Sequence, residues 1–120
     1  TDQSGANGLL TKVFLLSGRE VGFTTTSTTY NYVDGACLDY FSGTAASDSR
    51  RVAYLNGTAT FWWLRSPRAG NTSRALTVTG ATSASTTGSL GNAPIARTGG
   101  VRPAIILESD FIVTGDMIVA

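Results

Sequence analysis

Residues 52–64 read Val-Ala-Tyr-Leu-Asn-Gly-Thr-Ala-Thr-Phe-Trp-Trp-Leu, two apolar runs separated by Asn56-Gly57. Asn and Gly are the residues that best tolerate positive φ, which a type I′ turn requires at both central positions. The stretch therefore predicts a β-hairpin, and a hairpin commits the surrounding chain to antiparallel sheet. Side chains alternate across a strand. Phe61, Trp63 and Arg65 then share one face, and Trp62 and Leu64 the other. Both faces carry large apolar groups, so this strand is expected to lie centrally and to be covered on both sides.

Two runs share a layout of apolar residues, one arginine and a proline. They are Phe61 to Pro67 (FWWLRSP) and Gly100 to Leu107 (GVRPAIIL). The second predicts another core strand, with Pro103 at an edge, bulge or strand start because it has no N–H to donate. Leu9–Leu16 reads as a buried strand. Ser17 and Glu20 have the spacing of a capping box, which predicts a short helix stopped by Gly22 and the threonines after it. Asp34 is placed to cap a second short helix with Cys37, Leu38 and Phe41 on its apolar face. Residues 43–51 read as a surface loop ending in Arg50-Arg51. Arg74–Thr79 alternates as a strand. Residues 80–100 are almost all small and polar, with Leu90 and Ile95 as anchors in a loop region. Residues 111–119 form two apolar runs around Thr-Gly-Asp, which fits a terminal hairpin or an arm against a neighbouring chain.

At 120 residues the chain supports one core. The expected organisation is a linker over residues 1–8, a domain over 9–107 and a strand or arm over 108–120. The chain opens at Thr1 rather than Met, as a fragment or processed product would. Charged residues are 14% and net charge is +1, so steering toward nucleic acid or an anionic membrane is weak. No apolar run is long enough to span a bilayer as a helix, and no signal-peptide pattern occurs.

Much chemistry is excluded by composition. There is no histidine and one cysteine. That removes histidine-dependent triads, histidine-ligated metals, CxxC redox pairs and an intrachain disulfide. Cys37 reads as a small buried hydrophobe rather than a reactive thiol. Glu108 and Asp110 are the closest carboxylates, and they read as solvated turn residues rather than a glycosidase pair. Asp34, Asp39 and Asp48 lack EF-hand spacing for calcium. No metal and no cofactor is expected.

Eight of the nine basic residues are arginines, which suit fixed, bidentate contacts. Arg65 and Arg102 read as structural, tying loops to core strands through backbone carbonyls or a carboxylate such as Asp39 or Asp48. The alternative for both is anion recognition. Trp62 and Trp63 face opposite ways, so at least one is core; an exposed one would hint at sugar stacking. The loops at 68–74 and 80–99 are the candidate ligand-binding face, with Arg68, Asn71, Arg74, Ser83, Ser85 and Asn92 as its hydrogen-bonding groups.

Val13-Phe14-Leu15-Leu16-Ser17, Trp62 to Pro67 and Gly100 to Ala104 together resemble the hallmarks of an uncharacterised domain family of Gram-positive bacteria and their phages. The likeness covers roughly residues 12–107. That family is similar to the C-type-lectin-like fold used by formylglycine-generating enzymes and by phage receptor-binding proteins. The resemblance implies an α+β fold of twisted antiparallel sheets, one or two short helices and long loops, with Arg65 and Arg102 framing residues 68–99. The enzyme branch works through a cysteine pair, and only Cys37 is present. The Glu-Pro-Asn and Trp-Asn-Asp calcium motifs of sugar-binding lectins are also missing. What is implied is a non-enzymatic display domain on a virion or bacterial cell surface, binding a surface glycan or protein through its loops. The alternative is a structural virion protein, decorating a capsid or tail, whose apolar segment after Leu107 mediates assembly with other chains or as a homo-oligomer.

Overall fold

A computed structural model describes residues 13–24, 27–30, 34–80 and 87–107, and the backbone of 112–114 and 117–119. The linker reading of 1–8, Leu9–Lys12 of the first predicted strand, and Ser83, Ser85, Glu108 and Asp110 lie outside the described residues.

The predicted hairpin is present. β2 (Ala53–Leu55) pairs antiparallel with β3 (Thr58–Thr60), with Tyr54 opposite Ala59. Asn56 and Gly57 have φ of 50° and 76°, as the tight turn requires. The second run does not continue β3. Phe61 breaks it, and β4 (Trp62–Pro67) enters a separate three-stranded sheet with β5 (Arg74–Val78) and β6 (Leu90–Pro94) in the order β4-β5-β6. β6 is a correction to the loop reading of 80–100. Its small residues, directly opposite β5 from Arg74↔Pro94 to Val78↔Leu90, pair fully along the ladder. Leu90 packs on the core, while Ile95 is exposed.

Trp62, Leu64, Leu76 and Val78 are buried together with Val21, Phe23 and Phe41. Trp62 stands opposite Val78, so one face of the sheet is the core face. Trp63, opposite Thr77, lies on the other, and Thr77 is also buried. Both faces of the sheet thus carry buried residues. β4 is nonetheless not flanked by strands on both edges. On the side away from β5, the Trp63 N–H donates to the Gly100 carbonyl at 3.0 Å and the Arg65 N–H to the Leu16 carbonyl at 3.0 Å. Trp62 and Gly100 form an isolated parallel bridge. The two arginine-bearing motifs therefore lie side by side.

The expected helices do not form. Ser17 and Glu20 make both capping-box bonds: the Ser17 N–H donates to Glu20 Oε2 (2.9 Å) and the Glu20 N–H to Ser17 Oγ (3.1 Å). Only one turn follows. Gly22, at φ 86°, ends it, with the Phe23 N–H donating to the Gly18 carbonyl and the Gly22 N–H to the Arg19 carbonyl, each at 3.0 Å. Those two bonds are a Schellman closure. A side chain at Gly22 would also strike the Phe41 carbonyl. Further on, only single 3₁₀ turns occur, at Asp39–Phe41 and Ser49–Arg51. Asp34 caps neither; Leu38 precedes the first without a side-chain cap bond. With no helix there, no apolar face forms, and Cys37 and Leu38 are exposed rather than buried. The described residues thus form an architecture of small antiparallel sheets without an α-helix.

The first and last predicted core strands shrink as well. β1 (Phe14–Leu15) and β7 (Pro103–Ala104) pair with each other for two residues only. Pro103 cannot extend the ladder, and Val13, Val101, Ile105 and Ile106 are exposed rather than core. The predicted terminal hairpin forms as β8 (Ile112–Thr114) paired with β9 (Met117–Val119).

Candidate functional site

The register of β4 against β5 shifts between Trp63 and Pro67. Within this stretch the Arg65 N–H, like that of Trp63 two residues earlier, points away from β5, and the Arg65 side chain reaches the capping-box turn. The Arg65 guanidinium donates twice to Glu20, Nη1 to Oε2 at 2.5 Å and Nη2 to Oε1 at 2.8 Å. Nε donates to Asp34 Oδ2 at 2.8 Å, and Nη1 also to the Leu15 carbonyl at 2.9 Å. The carboxylates that Arg65 meets are Glu20 and Asp34 rather than Asp39 or Asp48. Burial pushes the Glu20 carboxyl up, yet the Arg65 hydrogen bonds, the Ser17 N–H and the Arg65 charge outweigh it and hold the carboxyl below its ordinary value. The same pair raises Arg65. Asp48 is likewise held well below the carboxylate range, chiefly by hydrogen bonds from Arg50.

Arg51, read from sequence as loop surface, is fully buried. Nε donates to the Gly88 carbonyl at 2.7 Å, Nη1 to Val21 at 3.2 Å, and Nη2 to Ala45 and Ala46. Its guanidinium carbon is 4.1 Å from the centre of the Phe23 ring. The Trp62 indole N–H donates to the Arg51 carbonyl at 2.9 Å, so Trp62 is a core anchor. Arg51 thus binds three loops through carbonyls, the role that sequence reading gave to Arg65 and Arg102.

Among the described residues, the candidate ligand-binding side chains divide between two places. Arg68, Asn71 and Arg74 come together at the β4–β5 turn, where the Arg68 N–H donates to the Arg74 carbonyl at 3.2 Å. Asn71 Oδ1 is occupied by the Ser73 N–H and hydroxyl. Arg68 Nε and Arg74 Nη1 are shut off from solvent and have no acceptor among the described residues. The connection after Val78 begins at the other end of β5, about 13 Å away at roughly 3.3 Å per residue. Asn92 lies in the middle of β6, and its Nδ2 donates to the Tyr30 hydroxyl at 3.3 Å.

A cleft of about 320 Å³ opens near that other end, on the sheet face that carries Thr77. Phe61, Thr77, Thr79, Asn92 and Arg97 are among the residues lining it. The Phe61 and Trp63 rings meet edge to face at 5.7 Å. After β6 the chain turns, with the Arg97 N–H donating to the Pro94 carbonyl at 2.9 Å. That turn sets the Arg97 guanidinium carbon 4.7 Å from the centre of the Phe61 ring. The cleft therefore offers an aromatic surface, threonine hydroxyls and a guanidinium. Among the described residues, no carboxylate, cysteine or histidine lines it, and no three acidic or thiol groups are grouped to hold a metal. Phe61 and Arg97 escaped sequence reading because they are 36 residues apart and only the β6 turn brings them together.

No curated protein and no solved structure matches the chain. A family model described as a domain of unknown function, DUF6273, matches residues 1–109, and the chain belongs to that family.

Proposed function

We propose that this domain is a non-catalytic binding module, displayed on a virion or bacterial cell surface, that receives a surface glycan in the Phe61–Arg97 cleft. The observation that carries this reading is the make-up of the cleft. An aromatic ring beside hydroxyls and one guanidinium suits a neutral polyhydroxylated ligand, which stacks its apolar face and hydrogen-bonds its edges. No acid–base pair lines the cleft among the described residues, which favours binding over hydrolysis. Small-residue loops around a low-charge surface fit adaptable, low-field recognition. The adjacency of WWLRSP and GVRPA supports a C-type-lectin-like arrangement, in which an arginine-bearing strand pair frames the loop surface.

The test is a glycan array followed by titration of the best ligand. Phe61→Ala is expected to weaken binding about tenfold, the upper range of one aromatic contact. Arg74→Ala, at the opposite end of β5, is expected to leave it unchanged. Loss on Arg74→Ala with Phe61→Ala silent would move the site to the β4–β5 turn. Absence of binding to any glycan or protein of a bacterial surface, or release of cleaved product, would overturn the proposal.

A further inference from the structure

A second cleft, of about 480 Å³, lies between β2 and residues 99–103. Trp62 and Arg102 both line it. The Arg102 guanidinium carbon is 5.1 Å from the centre of the Trp62 ring, which fixes the cation against an aromatic surface. Arg102 Nη1 is nevertheless shut off from solvent and has no acceptor among the described residues. The described carboxylates that form ion pairs are already engaged, Glu20 and Asp34 by Arg65 and Asp48 by Arg50. The cleft also has an apolar rim, because Tyr54, Leu55 and Val101 are 71%, 60% and 67% exposed. Its β2 side is a sheet edge, since β2 has β3 as its one strand neighbour among the described residues. An unpaired edge beside apolar side chains is a template for a further strand.

The complementary chemistry occurs in the same chain. Residues 13–107 carry eight arginines and four carboxylates. Residues 108–120 carry Glu108, Asp110 and Asp116, no basic residue, and six large apolar residues. β8 and β9 pair with each other and with no other described strand, and a lone two-stranded hairpin is marginal in water.

We infer that the 108–120 segment of a second copy of the chain docks along β2 in this cleft. Strand addition gives β2 a second neighbour, the rim covers the apolar side chains, and a carboxylate accepts from Arg102 Nη1. This interface is separate from the Phe61–Arg97 cleft and stands whether or not that cleft binds a glycan.

Light scattering of the full chain over a concentration series tests it. The wild type is expected to associate. Arg102→Gln is expected to weaken association at least tenfold, and so is the triple variant Glu108→Lys, Asp110→Lys, Asp116→Lys. Arg102→Glu combined with that triple variant is expected to restore it. Should Arg102→Gln fail to fold, because it removes the group stacked on Trp62, the triple variant decides the matter alone. A wild type that stays monomeric overturns the proposal. So does association that survives the triple variant, including the case in which Arg102→Gln abolishes it, because the cleft would then take some other surface.

Discussion

Two arginines hold this molecule together in opposite ways. Arg65 is half-buried and meets two carboxylates, with a bidentate grip on Glu20. Arg51 is fully buried and, among its hydrogen bonds described above, meets backbone carbonyls of three loops. The first is one cation held between two carboxylates, and its strength varies with the protonation of its partners. The second is a cation whose described hydrogen bonds all go to peptide carbonyls, which do not titrate. Carbonyls are supplied by any sequence, so the Arg51 arrangement depends on loop shape. The Arg65 arrangement depends on particular acidic residues at particular positions.

The sharpest break is Arg51→Met. Methionine keeps much of the volume and removes every donor, leaving several buried carbonyls without partners and three loops untied. A loss of about 3–5 kcal/mol is expected, the range for removing one side of a buried charged network. Urea unfolding would measure it. A loss under about 1 kcal/mol would mean that the carbonyls find water and that the loops do not depend on Arg51.

Arg65→Gln comes next, at about 2 kcal/mol, because its partners are part-exposed and water replaces some of what is lost. A double-mutant cycle with Glu20→Gln isolates the bidentate pair. Coupling near zero would show that the Leu15 carbonyl and Asp34, rather than Glu20, carry the contribution of Arg65.

Ser17→Ala probes the same cluster from the turn side. Ser17 is buried, and its hydroxyl accepts from the Glu20 N–H while donating to the Asp34 carbonyl at 2.7 Å. It thereby places both carboxylate-bearing segments around Arg65. About 1 kcal/mol is expected, as for loss of a helix N-cap. Thermal unfolding of Ser17→Ala in the Arg65→Gln background should show a smaller penalty than in the wild type. Full additivity would separate the turn from the ion pair.

The contrast also explains what could be read from the sequence. Local chemistry was legible. Asn56-Gly57 dictates its turn by backbone sterics alone, and Ser17/Glu20 make the expected reciprocal bonds. Trp62 and Leu64 take the core face that alternation requires. What failed depends on distant partners. The stop at Gly22 was legible, but the segment before it closes as a single turn rather than the expected short helix, against the Phe41 carbonyl. β6 is built of residues with weak strand preference, and it exists because β5 offers a complete ladder. Arg51 gave no signal, since an arginine next to Arg50 in a small polar stretch reads as surface. Its burial follows from carbonyls of residues 21, 45, 46 and 88 converging on one point. The candidate site was the least legible part. Among the described residues, Asn92 alone of the predicted ligand-binding set lines the cleft, while Phe61 and Arg97 meet through a turn that composition does not announce.

Acid titration separates the two arginines with the smallest expected effect. Glu20 is held below its ordinary value of 4.5 in the folded protein. A depressed carboxyl adds stability that is fully present above the unfolded-state value. That stability drains away as pH falls through the folded-state value, because the unfolded chain binds the proton first. Stability should therefore begin to fall below about pH 4.5, where unfolded glutamates take up protons. Asp48, also depressed by its contacts with Arg50, adds to the same slope lower in the acid range. In Arg65→Gln the Glu20 carboxyl keeps the Ser17 N–H and its burial but loses the Arg65 contacts that depress it, so the decline should be shallower. In Arg51→Met the loss of the carbonyl contacts should lower the curve at every pH, since carbonyls carry no titrating proton. Urea midpoints for the three proteins between pH 3 and pH 7 would provide the comparison. Equal slopes in wild type and Arg65→Gln would mean that Arg65 does not set the protonation of Glu20, and the distinction between the two arginines would then be one of burial alone.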